Sequence, residues 1–285
     1  MSIEVLISTI GEGIYNVPDM FLPMREDVCY LVSWQVDDLM MYKEVMLLSC
    51  FSRKDVRLYT MKGRGLSRNR NNCLARATGD ILLFADDDCR YTDAYLDNLR
   101  QASAETDADV LLMQSSLRKA YPGRTLPLAD ARRHRGYYPS SVEMAVRRTS
   151  IGALRFNEDF GLGSGRYVCG EEDVFLKDAA TAGLKIVFTP RKVTDTPDDT
   201  TGRKFLEDSE VQKAKGATFR YVYPPLEAEW RIVKEALHHW LCSHANPVEL
   251  YESMRGKPGK PGKPGNPGSA GNAGSAGSAG HPRKD

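Results

Sequence analysis

Short apolar runs alternate with amphipathic stretches along the first 114 residues of the chain. The apolar runs have the length and composition of buried strands: Ile3–Thr9, Val28–Gln35, Val56–Met61, Ile81–Ala85 and Val110–Met113. Helical patterns lie between them: Leu39–Phe51, Ser67–Arg76 (with Ser67 as the expected N-cap) and Asp93–Ala104. This alternation predicts an α/β fold in which helices cover a mostly parallel sheet. Such sheets bind ligands at the carboxyl ends of their strands.

The alternation weakens after residue 114. Residues 118–139 are rich in Arg, Pro and Tyr and indicate a loop or a partial helix. Three further elements are predicted: a strand at Met144–Ile151, a helix at Glu172–Ala182 closed by Gly183, and a strand at Lys185–Thr189 ended by Pro190.

A last long pattern, Leu226–His244, is amphipathic. Its large apolar residues fall on one side at helical spacing: Leu226, Trp230, Val233, Leu237, Trp240 and Leu241. We expect this side to pack on the domain. A peripheral membrane contact or a subunit contact is the alternative.

The C-terminus has a different composition. From Gly256 to Pro282 glycine occupies every third position, over nine triplets, a collagen-like pattern. Four of these triplets lack proline and large apolar groups are scarce, so we expect a disordered basic tail rather than a triple helix. The predicted division is a folded domain at 1–255 and a tail at 256–285, the domain comprising 1–114, 115–202 and C-terminal helices at 203–255.

Charge and cysteine content narrow the class of protein. The 285 residues contain 39 Lys and Arg against 38 Asp and Glu, which argues against a general nucleic-acid binder. The tail contains five Lys and Arg and one Asp, so the rest of the chain is mildly acidic. The six Cys include no C-x-x-C pair, which is typical of reduced thiols in a cytosolic protein. The sequence contains no apolar run of the length that spans a bilayer and has no basic leader, so we expect a cytoplasmic protein.

Three aspartates, Asp86, Asp87 and Asp88, directly follow a predicted buried strand. Adjacent carboxylates repel one another, and a divalent cation removes that repulsion. Mg²⁺ and Mn²⁺ commonly use one or two carboxylates together with substrate phosphates. In an extended chain Asp86 and Asp88 would point the same way and could bind one cation. The alternative explanation for the three aspartates is a solvated turn.

A second cluster combines glycines and carboxylates. Phe160–Gly165 is glycine-rich and predicts a tight, mobile loop, and Glu171, Glu172 and Asp173 follow at the start of a helix. The helix dipole favours acidic residues there, and this alone accounts for them. A carboxylate that faces a cleft can equally accept a proton from a substrate hydroxyl.

The motifs together resemble a known family. The segments Gly65–Asn71 (GLSRNRN), 77–88 (ATGDILLFADDD) and 156–176 (FNEDFGLGSGRYVCGEEDVFL) resemble the family 2 glycosyltransferases, nucleotide-sugar-dependent enzymes with the GT-A fold. The resemblance extends from Ile3 to about Gly202. It implies a Rossmann-like nucleotide-binding half at 1–114 and an acceptor and catalytic half at 115–202.

The resemblance also implies roles for particular residues. The nucleotide site would be formed by Ser8, Thr9, Ser33, Gln35, Arg68, Asn69, Asp86 and Asp87. Asp86 and Asp88 would bind Mn²⁺ or Mg²⁺, with Asp88 the stronger candidate. Asp173 would be the general base, with Glu172 second. The chain departs from many relatives because no His follows the strand after this helix, and Asp195, Asp198 or Asp199 would have to substitute for it.

The expected function is an inverting transfer of a sugar from a nucleoside-diphosphate donor, of the UDP-sugar type, to a hydroxyl of a glycan or lipid-linked acceptor. We also expect peripheral contact with the inner membrane face and binding of the tail to acidic surfaces. Two other functions are weighed against it. One is a nucleotidyltransferase that makes sugar nucleotides, although Gly11-Glu12-Gly13 lacks the Arg and Lys that follow the glycine-rich loop of such enzymes. The other is a sugar-binding scaffold protein with a collagen-like tail and no catalysis.

Overall fold

The structure is a computed structural model that describes residues 1–45, 48–198 and 201–256. Its strands are β1 (Ile3–Ile10), β2 (Val28–Gln35), β3 (Val56–Met61), β4 (Ile81–Asp86), β5 (Val110–Gln114), β6 (Leu126–Pro127), β7 (Met144–Arg147) and β8 (Ile186–Lys192). They form one sheet in the order β3-β2-β1-β4-β7-β5-β8-β6. β7 is antiparallel to β4 and β5, β6 is antiparallel to β8, and the other pairs are parallel. The predicted α/β fold is confirmed.

Helices connect and cover the strands. The α-helices are α1 (Leu66–Arg76), α2 (Asp93–Glu105), α3 (Leu128–Ala131), α4 (Arg148–Ile151), α5 (Glu171–Thr181), α6 (Ser209–Val222), α7 (Pro225–Ser243) and α8 (Pro247–Met254). Short 3-10 helices occur at Gly11–Met20, Leu39–Tyr42, Ser49–Ser52, Ser141–Glu143 and Thr201–Leu206. In the described part of the chain no helix has both the length and the apolar composition of a membrane span.

Both faces of the sheet are buried, because side chains alternate between the faces along each strand. On β1, Ile3, Val5 and Ile7 pack in a cluster with α2 and the 3-10 helix Gly11–Met20. Leu6 points the other way and packs in a cluster with α1 and α5. Two buried faces explain why the strands are almost continuously apolar in sequence.

The last three helices form a small layer of their own. Val211 of α6, Ile232 of α7 and Met254 of α8 belong to one buried cluster. α6 and α8 approach each other closely at Gly216, where an added Cβ would lie 1.8 Å from the carbonyl oxygen of Met254. A glycine is therefore required at this crossing.

Two predicted elements are wrong in part. Leu39–Phe51 is not one helix: its described residues form 3-10 turns at Leu39–Tyr42 and Ser49–Ser52. Val45 is buried there, but Met40 and Met41 are exposed, so packing supports no helical face. The strand predicted at Met144–Ile151 ends at Arg147 and gives way to α4.

Two finer expectations also differ from the structure. The N-cap of α1 is Gly65, at φ 126°, and the Ser67 hydroxyl bonds elsewhere. β8 continues through Pro190, because the pairing with β5 shifts register between Phe188 and Lys192 and needs no N–H there. The predicted disordered or collagen-like tail lies outside the described residues.

Candidate functional site

A cavity of about 840 Å³ opens at the carboxyl ends of β1, β2 and β4. The register of the sheet places Ser8 of β1 opposite Asp86 of β4, so the end of each strand contributes a polar side chain to the same edge. The rest of the wall comes from the start of α1, the start of α5, the loop before α5, one side of α6, and the segments 138–141 and 201–203. This is the edge at which the alternating pattern predicted a ligand site.

Most of the residues predicted from sequence line this cavity: Ser8, Thr9, Gln35, Asn69, Asp86, Asp87, Asp88, Glu172 and Asp173. Ser33 and Arg68 are not among its lining residues. Ser33 is buried and accepts a hydrogen bond from the Asn72 amide at 2.6 Å, whereas Arg68 is exposed near Gly63.

Three polar atoms of the lining residues have unmet hydrogen-bonding capacity in the described part of the chain, one of them the Nε of Arg70. The hydroxyl oxygen of Ser8 and the side-chain oxygen of Asn69 are buried and have no hydrogen-bond partner within the described residues. The Asn69 amide nitrogen does donate to the carbonyl of Thr9, at 3.0 Å, which fixes the side chain. Buried polar atoms without partners are costly and call for a ligand or ordered water.

The three aspartates have different partners. Asp86 accepts a hydrogen bond from Arg70 at 2.9 Å and Asp87 accepts one from the Thr9 hydroxyl at 2.5 Å. Asp88 lies 3.5 Å from the Thr196 hydroxyl. Burial raises the pKa of Asp87, and burial together with Asp86 and Asp87 raises that of Asp88. A nearby cation would relieve both effects on Asp88.

The donor set suits a divalent cation that also binds substrate. Among the described residues no group of three or more His, Cys, Asp and Glu side chains surrounds one point. Asp88 and Asp86 are hard oxygen donors at the cavity wall, and Mg²⁺ and Mn²⁺ are commonly held by one or two carboxylates plus substrate phosphates. The residues present therefore fit such a cation, provided that the substrate completes its coordination.

The three aspartates named as substitutes for the missing His are otherwise engaged or not described. Asp195 accepts hydrogen bonds from Tyr95 at 2.8 Å and pairs with Lys192 at 2.5 Å. Asp198 pairs with Arg203 at 2.6 Å, and Asp199 lies outside the described residues. Thr196, which sequence reasoning did not name, is the residue of this segment that approaches Asp88.

A buried arginine joins the two carboxylate clusters. Arg70 is only 1% exposed, and its guanidinium donates to Asp86 at 2.9 Å, to Glu171 at 3.1 Å and to the Ser141 hydroxyl at 2.7 Å. Burial and the neighbouring Glu172 raise the pKa of Glu171. Sequence reasoning included both residues in its motifs but assigned a role to neither. The available signal was a charged residue at position 70, on the same face of α1 as the buried Cys73 and Leu74.

The start of α5 places its three acidic residues in three environments. Gly170 precedes the helix at φ 98°, and an added Cβ there would lie 2.0 Å from the Thr218 hydroxyl of α6. All three line the cavity, but Glu171 alone turns inward to Arg70. Asp173 is about half exposed and pairs with Arg132 at 2.5 Å.

The glycine-rich loop before α5 packs on the start of α1. Leu66 N–H donates to the carbonyl of Leu162 at 2.8 Å, and the Ser67 hydroxyl donates to that of Phe160 at 2.5 Å. At Gly163 an added Cβ would lie 3.1 Å from the backbone nitrogen of Gly65. The loop thus forms one wall of the cavity, in contact with the residues that begin α1.

Known proteins resemble this arrangement. Residues 39–148 match the family model described as Glycosyl transferase family 2, a span that includes β3, β4, β5, β7 and the three aspartates. A search of curated protein sequences found no match.

Solved structures share the fold. Residues 1–349 of Staphylococcus aureus TarS in complex with UDP-GlcNAc superpose with a TM-score of 0.56 at 15% identity, over 88% of this chain and 76% of that one. Glucosyl-3-phosphoglycerate synthase from Mycobacterium tuberculosis in complex with Mg²⁺ and UDP superposes with a TM-score of 0.50 at 17% identity, over 78% and 79%. The fold is the GT-A fold. The family match supports a glycosyltransferase, and the neighbours share its fold.

Proposed function

We propose that this chain is an inverting glycosyltransferase of the hexosyltransferase type. It would move a sugar from a nucleoside-diphosphate donor, of the UDP-sugar type, to a hydroxyl of a glycan or lipid-linked acceptor in polysaccharide biosynthesis. The observation that carries the proposal is that one cavity is lined by Asp86–Asp88 and by Glu172 and Asp173, residues far apart in sequence. Complexes of TarS with UDP-GlcNAc and of the mycobacterial synthase with Mg²⁺ and UDP support the choice of donor.

The strand-end side of the cavity would hold the nucleotide. Ser8 and Asn69 offer buried oxygen acceptors without partners among the described residues, and Thr9, Gln35 and Asp87 lie beside them. Ser33 would contribute to the nucleotide site only indirectly, through its hydrogen bond with Asn72. Arg68 is not part of the cavity lining and would have to reach the donor from outside the cavity.

Asp88, with Asp86, would hold Mn²⁺ or Mg²⁺ against the diphosphate. The bound cation supplies positive charge opposite the diphosphate as it leaves. Arg70 orients Asp86 and contributes a fixed positive charge behind it.

Asp173 would be the general base, with Glu172 as the second candidate. The base takes the proton of the acceptor hydroxyl while that oxygen forms a bond to the anomeric carbon. The bond from the anomeric carbon to the diphosphate oxygen breaks, and the nucleoside diphosphate leaves with the electron pair. Attack from the face opposite the leaving group inverts the anomeric configuration. Arg132 pairs with Asp173 at 2.5 Å and so orients its carboxylate before the acceptor binds.

A donor panel tests the proposal. The protein is incubated with UDP-, GDP- and dTDP-sugars and Mn²⁺, with and without acceptor glycans, and release of nucleoside diphosphate is measured. We expect release from one class of donor and its acceleration by an acceptor. Nucleotide exchange that requires pyrophosphate would instead identify a nucleotidyltransferase, and donor binding without turnover would identify a sugar-binding scaffold.

The proposed setting is the cytoplasm, with peripheral contact at the inner membrane face where lipid-linked acceptors are found. The basic tail, which carries Lys257, Lys260 and Lys263, would bind acidic surfaces.

A further inference from the structure

The apolar side of α7 faces solvent. It consists of Leu226, Trp230, Val233, Leu237, Trp240 and Leu241, and we call it the α7 ridge. Leu226 is 89% exposed, Trp230 62% and Leu241 70%, and Leu237 and Trp240 are also exposed. The expectation that this side packs on the domain is therefore wrong. The side that does pack carries Ala228, Ile232 and Ala236, which are small or β-branched and allow α7 to lie close to α6 and α8.

An exposed stripe of this size needs a partner. Monomeric proteins rarely expose contiguous large apolar side chains, and a stripe of them marks a contact with another surface. The chain itself offers no cover in its tail, because residues 256–285 contain no aromatic residue and no Leu, Ile, Val or Met.

The residue types favour a lipid surface over a second helix. Trp is enriched where a protein meets the membrane–water interface, and interfacial helices combine Trp and Leu on one face. The seam of a coiled coil favours Leu, Ile and Val, and two Trp are poorly suited to it. The acidic residues of α7 are already held in ion pairs: Glu227 with Arg231, Glu229 with Arg255 and Glu235 with Lys215.

Charge complementarity identifies the kind of lipid. The tail begins directly after α8, which packs against α7, and it carries five Lys and Arg against one Asp. Lys234 is exposed beside the α7 ridge. An anionic bilayer would attract the tail while the ridge enters the interface.

We propose that the α7 ridge is an interfacial surface with which the protein lies on an anionic bilayer, assisted by the basic tail. The layer that carries it also borders the cavity, because Lys215, Thr218 and Phe219 of α6 line the cavity wall. Bound in this way, the protein holds its cavity beside the membrane surface, where a lipid-linked acceptor would lie. The surface itself does not depend on the catalytic assignment.

The test uses full-length protein and two kinds of vesicle, phosphatidylcholine alone and phosphatidylcholine mixed with phosphatidylglycerol. Binding is followed by co-sedimentation and by tryptophan emission, which reports Trp230 and Trp240 because Trp34 is fully buried. We expect binding to the anionic vesicles with a blue shift and with protection from iodide quenching. The double variant L237Q/W240Q should bind at least about tenfold more weakly. The control variant Met24→Gln, also exposed but far along the chain, should bind as wild type does.

A second variant separates charge from burial. Replacing Lys257, Lys260 and Lys263 with Gln in the full chain should weaken binding to anionic vesicles by up to about fivefold per charge, and this difference should fade as salt rises. Unchanged vesicle binding by L237Q/W240Q, or tryptophans that stay open to iodide on vesicles, would overturn the proposal. A wild-type oligomer in light scattering that dissociates in L237Q/W240Q without lipid would assign the ridge to a second copy instead. None of these measurements includes a sugar donor, so failure here is distinct from failure of the proposed sugar transfer.

Discussion

Replacing Arg70 with Met is expected to destabilise the protein more than any other single change at the cavity. The guanidinium is 1% exposed and is the cationic partner of both Asp86 and Glu171. Met fills similar space but leaves the buried Glu171 without a countercharge. Breaking a buried pair by removing one partner costs about 3–5 kcal/mol, because an uncompensated charge remains. Loss of the bond to Ser141 adds to this effect.

The measurement is urea unfolding of wild type, Arg70→Met, Arg70→Lys and the double variant R70M/E171Q. Arg70→Lys keeps the charge but lacks the planar fork that reaches three acceptors, so an intermediate loss is expected. R70M/E171Q should recover a large part of the stability, because the unpaired carboxylate is gone. A free energy of unfolding for Arg70→Met within about 1 kcal/mol of the wild-type value would refute the reasoning, and so would a double variant no more stable than Arg70→Met.

Variation of pH provides an independent check on Glu171. Burial raises its pKa, and in Arg70→Met the opposing effect of the guanidinium is removed. The folded state then keeps a proton that the unfolded state releases near pH 4.3, so stability falls as pH rises above that value. This decline should be steeper in Arg70→Met than in wild type and absent from R70M/E171Q. A stability that rises with pH over this range only in Arg70→Met would contradict the assignment.

Two further predictions concern the base and the helix crossing. Asp173→Asn should keep nucleotide binding and lower turnover by about 10²–10⁴, whereas the surface variant Asp130→Asn should have the turnover of wild type. If Glu172→Gln is inactive while Asp173→Asn stays active, the general base is Glu172. Gly216→Ala should lower the free energy of unfolding by about 1–3 kcal/mol, because its Cβ would meet the Met254 carbonyl. The control Gly123→Ala has open space around the added Cβ and should leave the stability unchanged. Equal Tm values for the two variants would show that α6 and α8 can separate at little cost.

The sequence predicted most of the strands and the edge of the sheet at which the cavity opens, because both depend on local signals. β2 and β3 have the predicted bounds, and Asp86 ends β4 at the expected edge, with Asp87 and Asp88 directly after it. The features that sequence reasoning did not predict depend on packing between residues far apart in the chain. The contacts of Arg70 join residues 16 and 101 positions away, which no local pattern encodes.

The exposure of the α7 ridge also could not be predicted from a local pattern. Helical spacing identified an apolar side correctly, but spacing does not say whether that side meets the domain or the solvent. The small residues Ala228 and Ala236 pack closely and therefore determine which side is buried. The prediction of a helix at Leu39–Phe51 was wrong for a related reason, because most of its described apolar residues are exposed: Leu39, Met40, Met41 and Leu48.

Calorimetric titration of UDP, with GDP and dTDP as alternatives, tests the central claim most directly. Wild type, Asp88→Ala and the exposed, remote control Asp107→Ala are compared in Mn²⁺ and in chelator. We predict that wild type and Asp107→Ala bind one nucleotide more tightly in Mn²⁺, and that Asp88→Ala loses at least about tenfold in Mn²⁺ but matches wild type in chelator. Equal Mn²⁺-dependent binding by Asp88→Ala, or no binding of any nucleoside diphosphate by wild type, would contradict the account.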